Sequence, residues 1–224
     1  MNKLDAVFTG GGPVFPNLIQ GLVNAAPNAR VHAVYGSTEA EPIAHIEAHD
    51  ISKSDWDKMA SGGGLLAGSP IPEIKLDLEE DEVWVAGSHV NKGYLDRVQN
   101  AAVKVERDGE IWHRTGDAAR RDDKGRIWLL GRKDAGAGGL YPFAVETAAL
   151  SWPGVRQAAL LAGDGRKRLA LAGGKGARLD PKDMQDRAAS LAIDGLEAVI
   201  VSDIPMDKRH NSKVDYQRLK RRIR

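Results

Sequence analysis

From about Glu73 to Arg132 apolar residues tend to fall at every second position. "EIKLDL", "EVWVAG", "AVKVERDGEIWHRTG" and "GRIWLLG" are short alternating segments cut by glycine and aspartate turns. A side-chain period of two belongs to strands, and no helix can present it on one face. The pattern predicts antiparallel sheet or a small barrel, with "RDGE" and "DDKGR" as hairpin turns. The residues on either side follow a different rule. "LDAVFTGGGPVFPNLIQGLVNAAPNARVHAVYGSTEA" reads as strand, glycine turn, helix, strand and loop. Ala6–Thr9 is short and mostly apolar, Pro16 suits a first helical position, Leu18, Leu22 and Val23 follow at helical spacing, and residues 31–35 form a second strand. The order strand–helix–strand favours a parallel pair. A chain that opens directly on an apolar strand is expected to begin in the middle of a fold.

After "GRKD" the glycine-rich "AGAGG" reads as a linker or hinge. The remainder reads as a compact α+β unit. "PFAVETAALSW" is a helix, and "VRQAALLAG" and "RLALAGG" are strands. "DPKDMQDRAASL" is a helix with Asp180 as N-cap and Pro181 at the first position. "LEAVIVSDIP" is a strand and "VDYQRLKRRI" a closing helix. The expected boundary lies at residues 132–134.

Several function classes drop out on composition. The chain has 224 residues, enough for one large domain or two small ones. No cysteine is present, which removes disulfides, thiol nucleophiles and thiolate metal sites, and fits a cytoplasmic protein. A net charge of +1 gives no electrostatic argument for nucleic acid, and the basic "RLKRRIR" suits the C-terminal end of a helix. No apolar run reaches the roughly eighteen residues of a membrane span, and "MNKLDAVFTGGG" lacks the core of a signal peptide. His45 and His49 are four apart and could share a helical face, but no third zinc ligand accompanies them.

Five segments could carry chemistry. "FTGGGPV" lets a ligand approach the backbone at a helix N-terminus, or is simply a tight turn. "YGSTEAEP" offers an aromatic face, two hydroxyls and a carboxylate, suited to base stacking, phosphate hydrogen bonds and Mg²⁺. Alone it reads rather as a glycine turn before a capped helix. "WHRTGD" ends in Asp117, a carboxylate able to accept two hydrogen bonds from a ribose diol, or a hairpin aspartate. "GRKD" presents Arg132, whose fork suits phosphate or ribose oxygens. "PMDKRHNSKVD" holds Lys213 in a turn ahead of the final helix, a place where a lysine is usually a solvated charge.

In order and spacing, "YGSTE", "GYLDRVQNA", "WHRTGD", "GRKD" and "RHNSK" resemble the second half of the AMP-forming adenylating enzymes. That superfamily includes acyl- and aryl-CoA synthetases, nonribosomal peptide synthetase adenylation domains and luciferases. The resemblance implies an α/β plus α+β fold. Residues 1–131 would end the large ATP- and acyl-binding domain, with a parallel βαβ unit and a small barrel-like antiparallel part. Residues 132–134 would be the hinge, and 135–224 a small mobile α+β domain. Gly10, Gly11, Gly12 and Pro13 would line the adenine and acyl pocket. Tyr35, beside Gly36, would stack on adenine, Thr38 would bond the α-phosphate, and Glu39 would bind Mg²⁺. Asp117 would hold the ribose hydroxyls, Arg132 would contact ribose or phosphate, and Asp134 would be the hinge residue. Lys213 would bridge the substrate carboxylate and the α-phosphate of ATP.

The resemblance also implies departures. The superfamily's phosphate loop with its lysine is absent and belongs upstream, so the chain is expected to be a C-terminal fragment, inactive alone. "AGAGGLYPFAVE" lacks the usual hinge-loop Lys and Arg, and Ala144 stands where a Glu is common, while Pro142 and Glu146 align. That loop shapes the CoA tunnel, so use of CoA is an open expectation. "DKRHNSK" is similar to the branch containing olefin β-lactone synthetases, which use no CoA. The reaction expected is acyl-adenylate formation from ATP and a fatty or related carboxylic acid. Lactone formation and a non-catalytic nucleotide- or partner-binding remnant are the alternatives.

Overall fold

The computed structural model of the chain describes residues 4–136, 139–163, 165–207 and 213–223. Two sheets carry the fold. The larger has the order β1-β2-β3-β4-β9-β8-β6-β5, with β7 paired to β8. Its strands are β1 (Ala6–Thr9), β2 (Arg30–Ser37), β3 (Ala40–Glu47), β4 (Leu65–Pro70), β5 (Ile74–Glu79), β6 (Glu82–Gly87), β7 (Lys104–Arg107), β8 (Glu110–Arg121) and β9 (Ile127–Arg132). β1 and β2 are parallel, joined by helix α1 (Pro16–Ala25). The rest pair antiparallel, as the alternation requires. In the β7–β8 hairpin Asp108 and Gly109 both take positive φ, 54° and 75°, the turn whose twist matches its strands. In the β8–β9 hairpin the Asp122 carboxylate accepts from the amides of Lys124 and Arg126.

Two expectations fail here. The segment after Tyr35 does not start a helix: β2 continues to Ser37, turns at residues 38–39, and returns as β3. Ser37 pairs with Ala40 across that turn, so the ladder takes up the amides that a helix would have used. His45 therefore lies on β3 and His49 in a short 3-10 turn, and the two do not share a helical face. In α1 the buried residue is Ile19, while Leu18 and Val23 are exposed, because one side of the helix meets the sheet. Helix α2 (Lys53–Ala60) is set by a capping box, in which Ser52 Oγ accepts from the Asp55 amide and Asp55 from the Ser52 amide, and the short helix α3 (Arg97–Val103) leads into β7.

The second sheet has the order β10-β11-β12, from β10 (Val155–Gly163), β11 (Arg166–Gly173) and β12 (Leu196–Val201). Helices α4 (Pro142–Ala149) and α5 (Pro181–Ser190) cover one face, giving a core of Val145, Trp152, Leu160, Leu169, Leu171 and Met184. α6 (Tyr216–Arg222) covers the other with Leu219, over Ala159, Leu161 and Ala170. With both faces buried β10 and β11 lose their alternation, which is why "AALLA" and "LALA" read as continuous apolar runs. Asp180 caps α5 by accepting from the Asp183 amide. α4 also reaches the larger sheet: Phe143 meets Phe15 edge-on at 5.8 Å, and Gly131 lies so close to Pro142 that a Cβ there would be 2.8 Å from its ring.

One buried carboxyl ties this unit together. Glu146, 2% exposed, accepts from the Leu160 amide at 2.8 Å and the Tyr216 hydroxyl at 3.1 Å. Burial pushes it up to about 7, against those two hydrogen bonds. A raised folded value means stability is greatest below the ordinary carboxyl range and is lost as pH rises through the folded value. Between about pH 4.5 and 7 the loss should reach about 3 kcal/mol. Urea unfolding across that window, compared with Glu146→Gln, checks it: the difference between the two proteins should vary with pH.

Candidate active site

The β2–β3 turn, the middle of β8 and the end of β9 bring together residues distant in sequence. The Tyr35 hydroxyl donates to Asp117 Oδ2 at 2.8 Å. Asp117 pairs with Arg132 across the β8–β9 ladder, and Arg132 Nη1 lies 3.3 Å from Asp117 Oδ1. The same guanidinium donates to the Thr115 carbonyl at 2.6 Å. It lies over Gly116, where φ is +72° and a Cβ would fall 2.5 Å from Nη2. The left-handed backbone there favours glycine, and a side chain would have to displace the arginine's guanidinium.

Burial pushes the Asp117 carboxyl up, while the Tyr35 hydroxyl, Arg132 and the charge of Lys213 act to keep it ionised. Tyr35 is itself pushed well above the ordinary phenol range by burial and by Asp117. Its proton therefore stays in place to donate. The hydrogen bond fixes the ring beside a carboxylate, so an aromatic face and a carboxylate share one geometry.

Glu39 sits in the turn, partly buried. Its carboxylate accepts from the Tyr94 hydroxyl at 2.7 Å, and its carbonyl from the Asn91 amide at 2.7 Å. Burial pushes the carboxyl up, but bonds from Tyr94, Ser37 and its own amide outweigh this and hold it below the usual range. Tyr94 is pushed to about 12 by burial and by Glu39. Thr38 is exposed beside it. Gly36 lies at the crossing of the two strands, where a Cβ would be 2.9 Å from the Ala40 carbonyl. A single ionised carboxylate next to an exposed hydroxyl suits Mg²⁺, which keeps its waters and takes one or two carboxylates plus substrate phosphate. Among the described residues no three-ligand acidic or histidine cluster exists, so the site is no all-protein cage.

Gly12 and Pro13 line a cavity of about 30 Å³ with Tyr35 and Leu129. Gly10 packs on β2, a Cβ there being 2.9 Å from the Val34 carbonyl, whereas Gly11 faces open space at φ +76°. Asp134 lies in a 3-10 turn after β9 and is 82% exposed, its carboxylate 3.8 Å from Arg132 Nε. Lys213 is exposed, and its backbone is clamped: its amide donates to Asp207 Oδ1 at 3.0 Å, and its carbonyl accepts from the Asp207 amide at 2.8 Å. The "RHNS" part of the last motif falls in residues 208–212, outside the described residues, as do residues 137–138 of the hinge loop.

Sequence reasoning missed two supports. Glu82, 4% exposed, accepts from Arg114 at 2.8 Å and from the Gly116 amide at 3.1 Å, shaping the bend that presents Asp117. Tyr94 appeared only as a letter in a motif, and its partner Glu39 lies 55 residues away. A carboxylate opening an apolar strand, "EVWVAG", was the available signal for Glu82.

No protein-family model matches the chain. It is 27% identical over 175 residues to the 2-succinylbenzoate–CoA ligase of Arabidopsis thaliana, covering 69% of this chain and 31% of that protein. It is 28% identical over 262 aligned positions to the olefin β-lactone synthetase of Stenotrophomonas maltophilia, covering 95% and 46%. The O-succinylbenzoate coenzyme A synthetase of Bacillus subtilis, solved with ATP and magnesium, shares the fold with a TM-score of 0.71 at 22% identity, over 96% of this chain and 46% of that one. The chain thus spans less than half the length of these relatives.

Proposed function

Because the relatives and structural neighbours of the chain are AMP-forming adenylating enzymes, we propose that it forms part of a ligase that activates a carboxylic acid with ATP, making an acyl-adenylate and pyrophosphate. Residues 1–131 act as the close of the larger, nucleotide-binding unit, 132–134 as its hinge, and 135–224 as the small unit that carries Lys213. What supports the reading is the joining of Tyr35, Asp117 and Arg132, with the charge of Lys213 acting on the same carboxylate.

In this reading adenine lies on Tyr35 against Gly10, Gly11, Gly12 and Pro13, and Asp117 accepts from the ribose diol while Arg132 holds it ionised. Thr38 donates to the α-phosphate. Glu39, positioned by Tyr94, would hold Mg²⁺, which would neutralise phosphate charge. The substrate carboxylate attacks the α-phosphorus and pyrophosphate leaves. Two anions must meet, and the Lys213 ammonium offsets their repulsion where water is excluded.

The test is carboxylate-dependent exchange of labelled pyrophosphate into ATP, run on the whole gene product, with AMP binding to this chain measured in parallel. Exchange together with AMP binding weakened by Asp117→Ala is expected. AMP binding without exchange would favour the nucleotide-binding remnant, and neither would overturn the site. A second reading, lactone closure of a β-hydroxy acid without CoA, is favoured by the 95% coverage of this chain in the match to the β-lactone synthetase. ATP-dependent product formation from a β-hydroxy acid in the absence of CoA decides between it and thioester formation.

A further inference from the structure

A cavity of about 270 Å³ lies away from Asp117, between the turn after α2, the β8–β9 hairpin and the segment entering α4. Lys58 and Arg120 line it, together with Trp128, Leu130, Leu140 and Tyr141. Arg120 and Trp128 are partners across the ladder, so their side chains share a face. The Lys58 ammonium stands 3.9 Å from the centre of the Trp128 ring. Arg121 also borders the cavity, but its guanidinium donates to the Leu76 carbonyl.

The charge balance is one-sided. No carboxylate lines the cavity, and among the described residues neither Lys58 nor Arg120 forms an ion pair. Asp55 of α2 and Asp122 of the β8–β9 turn are both taken up by Arg126. Lys58 and Arg120 are both exposed, and both border this partly apolar space, whose lining holds no carboxylate. Cations so placed take an anion from solvent, and phosphate meets an arginine fork and an ammonium together.

We propose that this cavity is a second ligand site, for a phosphorylated small molecule with a less polar portion. Its phosphate meets Lys58 and Arg120, and the rest lies against Leu130, Leu140 and Tyr141. The site is built from both sides of the 132–134 connection, so its ligand holds the segment entering α4 against the larger sheet. It is independent of the nucleotide reading.

The probes are phenyl phosphate and inorganic phosphate, titrated calorimetrically into the chain at constant ionic strength. Saturable binding is expected, tighter for phenyl phosphate. Arg120→Gln and Lys58→Gln should each weaken it about tenfold or more, the loss of one charge-assisted hydrogen bond, while the distant surface change Lys175→Gln should not. The Arg120 side chain makes no hydrogen bond among the described residues, so its replacement should leave the fold intact and the result interpretable. No saturable binding, or equal binding by Arg120→Gln, overturns the site. Equal affinity for the two probes overturns its apolar half. Loss of binding in Asp117→Ala would place the probe in the nucleotide site and overturn the proposal as well.

Discussion

Lys213→Ala in the whole gene product should reduce carboxylate-dependent pyrophosphate exchange by about 10²–10³-fold, the usual cost of deleting one group that meets developing charge. AMP affinity should change little. The distinction follows from how Lys213 is held. Its backbone closes against Asp207 in both directions, so truncating the side chain leaves the base of the turn standing. The ammonium is the part removed, and with it one of the charges that favours ionised Asp117. Lys213→Arg keeps the charge on a planar fork of different reach, and should restore little exchange. Exchange unchanged in Lys213→Ala would take the residue out of the mechanism, and the loss of AMP binding would assign it to ground-state binding instead.

Arg126→Ala should cost about 3–5 kcal/mol in urea unfolding near neutral pH. Arg126 is 13% exposed and bonds two carboxylates that are equally enclosed, Asp55 at 2.7 and 2.9 Å and Asp122 at 2.8 Å. Asp122 also accepts from the Trp128 indole at 2.9 Å, and Asp55 belongs to the capping box of α2. The guanidinium thus fastens α2 to the β8–β9 hairpin. Its hydrogen bonds hold Asp55 well below the usual carboxyl range, and depressed values mean stability present above that range and lost as pH falls. Without Arg126 two carboxylates remain with no partner cation. The penalty should then shrink on acidification, as they protonate. A penalty below 1 kcal/mol, or one that grows in acid, would show that the pair is not acting as a buried ionic support.

The elements that sequence exposed are those with local causes. The hairpin turn at Asp108 and Gly109 and the Asp180 cap each follow from residues within a few positions of one another, and the parallel opening unit from one uninterrupted strand–helix–strand run. α2 had a local signal too, in the spacing of Ser52 and Asp55, but its sparse apolar residues hid it. The turn after Tyr35 was ambiguous because "GSTE" caps a helix as readily as it reverses a strand. Pairing with β4, supplied by residues 65–70, is a tertiary influence that no local pattern carries. The site divides in the same way. Tyr35, Asp117 and Arg132 were visible as motif residues, but the hydrogen bond between Tyr35 and Asp117 spans 82 positions, and the supports Glu82 and Tyr94 act across similar gaps.

Phe143 gives α4 a double allegiance. Val145 and Ala149 of that helix belong to the core of the second sheet, while Phe143 packs into the first against Phe15. In the proposed function, a swing of the small unit about residues 132–134 would have to pull that ring free. An aromatic contact of this kind is worth about 1 kcal/mol beyond its buried area, which by itself sets roughly a fivefold preference between two orientations. In that proposal the ring acts as a detent: it would hold one setting of the hinge without locking it, and its size would tune the time spent in each.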